Sequence, residues 1–229
     1  MNSRCFPNRS ALDQALANSV AGVLAKAIEQ NGSAALVVSG GSTPLHLFRR
    51  LSSMPLEWHK VTVLLADERW VPPDHDDSNE RLVRKSLLVS GAASARFVPL
   101  KTTHANAQQA ESSVHNTLAA LGRFDLVILG VGDDGHTASL FPCATALPEG
   151  LDMVSGRLCL AIQPRSAPHQ RMTMTLPRLL DSENIFIHIT GEKKKSILDL
   201  AWKKNDPLML PIAAVIHQQF TPVTLFYAP

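Results

Sequence analysis

The chain has few cysteines and few aromatic side chains. Its 229 residues include 3 cysteines and 1 tyrosine, and aromatic residues make up 5% of the total. The thiols of Cys5, Cys143 and Cys159 are too widely spaced for a metal-binding pair, and their odd number gives no complete disulfide framework. Reduced thiols of this kind are typical of cytoplasmic proteins. We therefore expect a cytoplasmic protein with no structural metal and no disulfide staples.

Strong charge and long apolar runs are also missing. The formal net charge is +2, the longest basic cluster is 193–195, and the 3 tryptophans are scattered. These features argue against a nucleic-acid partner. No stretch approaches the ~20 apolar residues that a membrane helix needs, and residues 1–7 lack the apolar core of a secretion signal. We expect a small-molecule ligand, no membrane partner and a monomeric chain, with weak self-association left open.

Short apolar strands alternate with amphipathic helices along the whole chain. The apolar fraction of 45% and the charged fraction of 18% are those of an ordinary folded domain. The pattern predicts an α/β fold, a Rossmann-like and mostly parallel sheet with helices on both faces, in a single domain over residues 1–229. The predicted helices are 10–31, 79–89, 105–121 and 191–203. The predicted strands are 34–38, 61–66, 124–131, 158–162, 185–189 and 223–227, with 213–216 as a further candidate.

A glycine-rich segment, 39–44, follows the first predicted strand. Gly40 and Gly41 allow close approach of the backbone to a ligand, and Ser42 adds a hydroxyl. Thr43 can cap the next helix and Pro44 suits its first position. Free N–H groups at that helix start favour an anion, most naturally a phosphate. A plain strand-to-helix turn is an equally good interpretation of this segment alone. The spacing matches neither a Walker loop nor a dinucleotide fingerprint.

Three adjacent charges, at 67–69, stand at the end of a second strand, where a parallel sheet faces its ligand. Arg69 is a permanent cation suited to stabilising negative charge that develops on oxygen. The commoner alternative is a solvated salt bridge in a loop. Further on, the polar residues 76–79 are expected to cap the next helix, and Asn79 can alternatively orient neighbouring charged groups.

The most informative stretch is 126–142, which predicts a buried strand, a glycine-rich turn and a short helix. His136 lies in the turn directly after Gly135, and two carboxylates, Asp133 and Asp134, come just before that glycine. Histidine can accept a proton from water near neutral pH, and Asp134 can hold its orientation. A single loop histidine is usually structural, but the glycines and the strand-end position favour a catalytic role. A metal site or a nucleophilic triad has less support, because the spacings of His, Cys and Ser match neither.

Isolated cations mark the second half of the chain. Arg171 precedes an apolar segment, and Lys194 lies within a lysine cluster at the start of a helix. Lysines at a helix N-terminus oppose its dipole unless an anion lies among them. A solvated helix start is about as good an explanation of this cluster on its own.

Together, in this order, these blocks resemble the 6-phosphogluconolactonase family, which shares a superfamily with glucosamine-6-phosphate deaminase. The matching blocks are 39–44, 67–72 with 78–79, 130–142, and Arg171 with 191–194. The third block is the most specific. It continues after Gly135-His136 in the lactonase form, Thr-Ala-Ser-Leu-Phe-Pro, whereas the deaminases carry an Ala-Phe-Asn-Glu-Pro type of sequence.

The resemblance implies hydrolysis of 6-phosphoglucono-1,5-lactone in the pentose phosphate pathway, with no metal and no nucleotide cofactor. It implies that His136 activates water as a general base, that Asp134 supports it, and that Arg69 stabilises the oxyanion. It further implies a substrate-binding set made of Gly40, Gly41, Ser42, Thr43, Asp67, Arg171 and Lys194, in which the loop residues, the second arginine and the lysine hold the phosphate.

Two alternatives remain open from the sequence. An isomerase or deaminase of amino-sugar phosphates would use the same phosphate site, with Asp67 as the base that removes a proton from carbon. A non-enzymatic sugar-phosphate sensor would use the same scaffold. The combination of Arg69 with His136 argues against the sensor, because binding alone needs no group that activates water.

Overall fold

Strands and helices alternate along the chain, as the sequence predicts. The computed structural model describes residues 1–165 and 167–229. The strands are β1 (Asn2–Cys5), β2 (Ala34–Val38), β3 (Val61–Leu65), β4 (Asp67–Arg69), β5 (Arg96–Val98), β6 (Leu126–Leu129), β7 (Cys159–Ile162), β8 (Arg171–Met174), β9 (Ile185–Thr190) and β10 (Val223–Ala228). The α-helices are α1 (Arg9–Asn31), α2 (Leu45–Leu51), α3 (Asn79–Ser86), α4 (Ala107–Ala119), α5 (Leu147–Leu151), α6 (Leu176–Leu180), α7 (Glu192–Lys204) and α8 (Ile212–His217).

Seven parallel strands form the central sheet, in the order β1-β10-β9-β6-β2-β3-β5. The predicted fold class is confirmed. From β2 the chain proceeds through β3 to β5, and β6 then returns to the other side of β2 before the chain continues through β9 to β10. The direction of winding therefore reverses between β2 and β6. In open parallel sheets, ligands bind outside the carboxyl ends of the strands at such a reversal.

The first helix shows how local sequence sets the boundaries. The side chain of Asn8 accepts a hydrogen bond from the N–H of Ala11 and so caps α1, and Gly32 ends the helix with a left-handed φ of 77°. Apolar residues at helical spacing, such as Leu12, Leu16 and Val20, are fully buried. None of the helices in the described residues combines the length and the apolar content that a membrane-crossing helix needs.

A second, antiparallel sheet of three strands, β4-β8-β7, was not predicted. In it Asp67 pairs with Thr173, and Arg69 pairs with Arg171. These strands have three or four residues, and the partners lie about a hundred positions apart, so no local periodicity reveals the pairing. The charged segment 67–69 is thus a strand of this small sheet and not a loop at the end of β3.

Two predicted elements are wrong. Residues 213–216 are helical, in α8, and not a strand, because a run of four apolar residues carries no information that separates helix from strand. The short helix predicted after His136 is absent. Thr137 and Leu140 instead form an isolated antiparallel bridge around a tight turn, and the next helix is α5.

Candidate active site

One cavity of about 250 Å³ opens at the carboxyl ends of β2 and β6, at the reversal point of the sheet. It is bounded by the glycine-rich loop, the His136 turn, the small sheet and the start of α7. The predicted site residues that line it are Gly40, Gly41, Ser42, Thr43, Asp67, Arg69, His136, Arg171 and Lys194. Asp134 is not part of the lining, but it contacts His136 directly. The structure therefore brings together the whole predicted set.

The glycine-rich loop leaves β2 beside the end of β6, where the N–H of Ser39 bonds the carbonyl oxygen of Ile128 at 3.1 Å. Within the described residues, no acceptor is bonded to the N–H groups of Gly40, Gly41, Ser42 and Thr43. One expectation is corrected. Thr43 does not cap α2, which begins at Leu45 after Pro44 and has no side-chain cap. A seven-residue helix has a weak dipole, so the loop offers an anion mainly its own unbonded N–H groups.

Of the three clustered lysines, only Lys194 faces the cavity. Its Nζ lies 3.5 Å from Oγ1 of Thr43, whereas Lys193 is paired with Asp133 at 2.5 Å and Lys195 with Asp199 at 2.6 Å. Burial lowers the pKa of Lys194, and the charge of Asp133 offsets part of that shift. The predicted choice of Lys194 therefore has a geometric basis, because its neighbours are held outside the cavity by their own carboxylates.

The imidazole of His136 is held in one orientation by Asp134. Nδ1 of His136 lies 2.5 Å from Oδ1 of Asp134, and the same oxygen accepts the backbone N–H of His136 at 3.2 Å. Burial raises the pKa of Asp134, but the hydrogen bond and charge of His136 outweigh it and hold the pKa below its ordinary value. With Nδ1 engaged, Nε2 is the nitrogen left to bind and deprotonate water.

Close packing also fixes the ring. A Cβ added at Gly132 would lie 2.1 Å from ring atoms of His136. The ring of Phe141 lies 4.2 Å from the imidazole, measured between centroids. The glycine therefore has a specific steric role. It leaves free the space that the imidazole occupies.

The strand β4 divides its three charges between two sides, as the alternation of side chains in a strand requires. Asp67 and Arg69 line the cavity, but Glu68 points away from it. The carboxylate of Glu68 accepts the N–H groups of Arg69, Asn79 and Glu80 at 2.7–2.8 Å. Burial raises the pKa of Glu68, although these backbone hydrogen bonds partly oppose it. Glu68 therefore does not face the cavity as Asp67 and Arg69 do, and it anchors the start of α3 instead.

Two arginines stand directly opposite each other across β4 and β8. Arg171 is only 6% exposed, and its Nη2 donates to the carbonyl of Pro168 at 3.1 Å. Its Nε is buried without a hydrogen-bond partner among the described residues. Burial lowers the pKa of Arg171, and the neighbouring guanidinium of Arg69 lowers it further. Two adjacent cations with an unpaired donor favour an anionic ligand between them.

Sequence reasoning missed a buried serine that holds Asp67. The hydroxyl of Ser139 donates to Oδ2 of Asp67 at 2.6 Å, and the N–H of Ser139 donates to Oγ1 of Thr173 at 3.2 Å. Asn79 donates from Nδ2 to the backbone oxygen of Asp67 at 2.9 Å, so it contacts the main chain of that strand and not a charged group. The one available signal was the position of Ser139 within the lactonase form of the third block, which gave no indication of its partner.

No group of three or more His, Cys, Asp and Glu side chains is arranged to hold a metal ion within 1–165 and 167–229. The cavity presents instead two imidazoles, two guanidiniums, one ammonium, the carboxylates of Asp67 and Asp133 and a row of backbone N–H groups. This donor set suits a ligand with a phosphate at one end and a polar, reactive carbon at the other.

Comparison with known proteins agrees with this geometry. The model of the family described as glucosamine-6-phosphate isomerases/6-phosphogluconolactonase matches residues 7–224. The chain belongs to this family. The match spans every block on which the resemblance was based.

Three individual relatives are 6-phosphogluconolactonases. The chain is 44% identical to a 6-phosphogluconolactonase of Rhizobium meliloti, over 100% of this chain and 99% of the relative. It is 43% identical to a 6-phosphogluconolactonase of Pseudomonas putida, over 93% of this chain and 87% of the relative. The crystal structure of a 6-phosphogluconolactonase from Shewanella baltica superposes with a TM-score of 0.97 at 43% identity, covering 100% of this chain and 98% of that one.

Proposed function

We propose that this protein hydrolyses 6-phosphoglucono-1,5-lactone to 6-phosphogluconate, a step of the pentose phosphate pathway. The observation that carries the proposal is the shared cavity. It holds an oriented histidine, two arginines and a row of free N–H groups in one space. The lactonase names of relatives at 43–44% identity over most or all of the chain support the same substrate.

In the proposed mechanism the phosphate occupies the loop end of the cavity. We assign the unbonded N–H groups of Gly41, Ser42 and Thr43 to the phosphate oxygens, and the ammonium of Lys194 supplies a charge beside Thr43. We assign Arg171 to the phosphate as well, because its buried guanidinium has an unused donor. A phosphate held far from the reacting carbon fixes the position of that carbon without taking part in the chemistry.

Hydrolysis then needs one base and one oxyanion partner. Nε2 of His136 removes a proton from water as the water oxygen attacks the lactone carbonyl carbon. Arg69 stabilises the negative charge on the carbonyl oxygen. When the tetrahedral intermediate collapses, the ring C–O bond breaks, and the imidazolium returns its proton to the departing ring oxygen. The product is the open-chain acid. Asp134 stabilises the imidazolium throughout.

In this mechanism Asp67 binds the substrate, whereas in a deaminase it would be the base that removes a proton from carbon. Ser139 occupies one of its carboxylate oxygens, and Asn79 bonds its backbone. We assign its free oxygen to a hydroxyl of the sugar. An aspartate held in this way is suited to binding a hydroxyl, which favours the lactonase over proton removal from carbon.

We also infer that residues 1–229 act as one catalytic domain, as a monomer in the cytoplasm. In support, one continuous buried core reaches from Leu12 to Ala228, and Cys5, Cys143 and Cys159 are free thiols. The monomer is tested by measuring the molar mass with light scattering at micromolar protein concentration. We expect the mass of one chain, and the mass of a dimer would contradict the inference.

The function is tested by offering the purified protein two substrates. In weakly acidic buffer, where spontaneous hydrolysis of the lactone is slow, we expect rapid acid release from 6-phosphoglucono-1,5-lactone. With glucosamine 6-phosphate we expect no ammonia. Ammonia release without lactone hydrolysis would replace the proposal with the deaminase, and binding of both compounds without turnover would favour a sensor.

A further inference from the structure

Arg9 lies outside the active-site cavity, yet it bonds the back of the glycine-rich loop. Its Nη2 donates to the carbonyl oxygen of Thr43 at 2.8 Å and to that of Ser42 at 3.2 Å. Arg9 is the first residue of α1, thirty-three positions before Ser42. No motif pointed to it, because it bonds backbone carbonyl groups of the loop, which every residue type carries.

The peptide geometry makes this contact relevant to the ligand. The described chain has no cis peptide bonds, and in a trans peptide the C=O and N–H point in opposite directions. The carbonyl of Ser42 belongs to the same peptide plane as the N–H of Thr43. A guanidinium that holds the carbonyl of Ser42 on the outer side therefore turns the N–H of Thr43 toward the opposite side. Thr43 lines the cavity.

A cation on the carbonyl also strengthens the donor on the other side. Hydrogen bonds in series polarise one another, so an N–H becomes a better donor when its own carbonyl accepts from a charged group. The positive charge of Arg9 adds to the favourable potential for an anion, because Arg9 lies directly behind the loop.

A buried carboxylate lies beside the guanidinium of Arg9. Oδ2 of Asp13, one helical turn further along α1, lies 3.7 Å from Nε of Arg9. Asp13 is 1% exposed, and its Oδ1 lies 3.4 Å from Nε2 of His188, a buried residue that lines the cavity. Asp13 thus links the arginine to the cavity wall. The side chain of Arg9 is 40% exposed, but its guanidinium contacts the loop on one side and a buried carboxylate on the other.

We propose that Arg9 is a positioning residue for phosphate binding, which orients and polarises the Ser42–Thr43 peptide from behind the loop. This inference rests on the proposed function, since it assumes that the loop binds the substrate phosphate. Arg9 does not touch the substrate. Its effect must therefore appear in the binding of phosphorylated ligands and not in the chemistry at the carbonyl.

The surface around Arg9 provides matched controls. Arg49 and Arg50 line the same outer pocket as Arg9, but Arg50 bonds the side chains of Gln14 and Ser10 and not the loop. The substitution Arg9→Gln and the substitutions Arg49→Gln and Arg50→Gln remove the same charge from the same region. If the lost positive charge acted as a general electrostatic effect, KM would rise in all three variants. An effect transmitted through the Ser42–Thr43 peptide would raise KM only in Arg9→Gln.

The test compares kcat and KM for 6-phosphoglucono-1,5-lactone and for unphosphorylated glucono-1,5-lactone. We expect Arg9→Gln to raise KM for the phosphorylated substrate about tenfold, the scale of one charge-assisted hydrogen bond, with kcat nearly unchanged. The unphosphorylated substrate should show no change. Arg9→Lys should recover part of the loss, and the Arg49 and Arg50 variants should match the wild type.

Several outcomes would overturn the inference. They are equal losses for the two lactones, an unchanged KM in Arg9→Gln, or the same KM increase in the Arg49 and Arg50 variants. Thermal unfolding of each variant identifies loss of the fold. If Arg9→Gln is destabilised, Arg9→Met, which keeps the apolar part of the side chain, replaces it, and an unchanged KM in that variant would equally count against the inference. A wild-type protein without lactonase activity would instead refute the proposed function, and binding of inorganic phosphate to wild type and Arg9→Gln would still test the loop.

Discussion

The central sheet and the small sheet supply the cavity in different ways. The central sheet contributes two loops, 39–44 and 130–142, which leave neighbouring strands in the same direction. Each loop is determined by residues close in sequence. The small sheet contributes Asp67, Arg69 and Arg171, which meet only through pairing between distant segments. The two loops of the central sheet therefore take their geometry from neighbouring residues. The charged side chains of the small sheet come together only when the whole chain is folded.

The sharpest test of the two loops of the central sheet is the substitution His136→Ala. We expect turnover of the phosphorylated lactone to fall at least ~100-fold, because general-base catalysis contributes about 10²–10⁴. Binding of 6-phosphogluconate should persist, since the phosphate end is untouched. Steady-state kinetics and calorimetry measure the two effects. His59→Ala, at an exposed histidine outside the cavity, is the control, and near-normal turnover in His136→Ala would remove the histidine from the mechanism.

Substitution of the two paired arginines of the small sheet should change different kinetic parameters. We expect Arg69→Ala to lower kcat about 10²-fold, the scale of one oxyanion donor. Arg171→Ala should raise KM more than it lowers kcat, because the phosphate is remote from the reaction. Measuring kcat and KM for both variants distinguishes the roles. The assignments would be exchanged if Arg171→Ala lost turnover and Arg69→Ala lost only binding.

The buried lysine predicts a pH effect on binding. Because burial lowers the pKa of Lys194, its charge is present below that pKa and is lost as the pH rises through it. Affinity for 6-phosphogluconate should therefore decline in the alkaline range before an exposed lysine, with a pKa of ~10.4, would lose its charge. Calorimetric titrations at several pH values measure this decline. Lys194→Arg should flatten it and Lys193→Arg should not; the same profile in all three proteins would contradict the assignment.

A smaller effect is expected from the serine that holds Asp67. Ser139→Ala should lower kcat/KM several-fold, since the carboxylate loses one hydrogen bond worth about 1–3 kcal/mol. Ser182→Ala is a matched control, because Ser182 is equally buried and donates to the carbonyl of Leu179 at 2.9 Å. Both variants should lose similar stability in thermal unfolding. Equal kinetics for the two would leave Ser139 with a structural role only.

The contrast between the two sheets also explains how much the sequence could predict. Periodicity identified most strands of the central sheet and the long helices, and local motifs identified the residues of both loops. The pairing of Arg69 with Arg171, the outward turn of Glu68 and the contact between Ser139 and Asp67 depend on segments far apart in the chain. The prediction of a strand at 213–216 is wrong for another reason, because a short apolar run fits a helix and a strand equally well.

The central claim is that one cavity holds the phosphate at the loop end and the reacting carbonyl at the His136 end. Its most direct test is the ratio of kcat/KM for 6-phosphoglucono-1,5-lactone over glucono-1,5-lactone in Lys194→Met and in Asp134→Asn. The ratio should fall in Lys194→Met, because only the phosphorylated substrate loses a contact, and should stay constant in Asp134→Asn while both rates fall. An unchanged ratio in Lys194→Met would contradict the account.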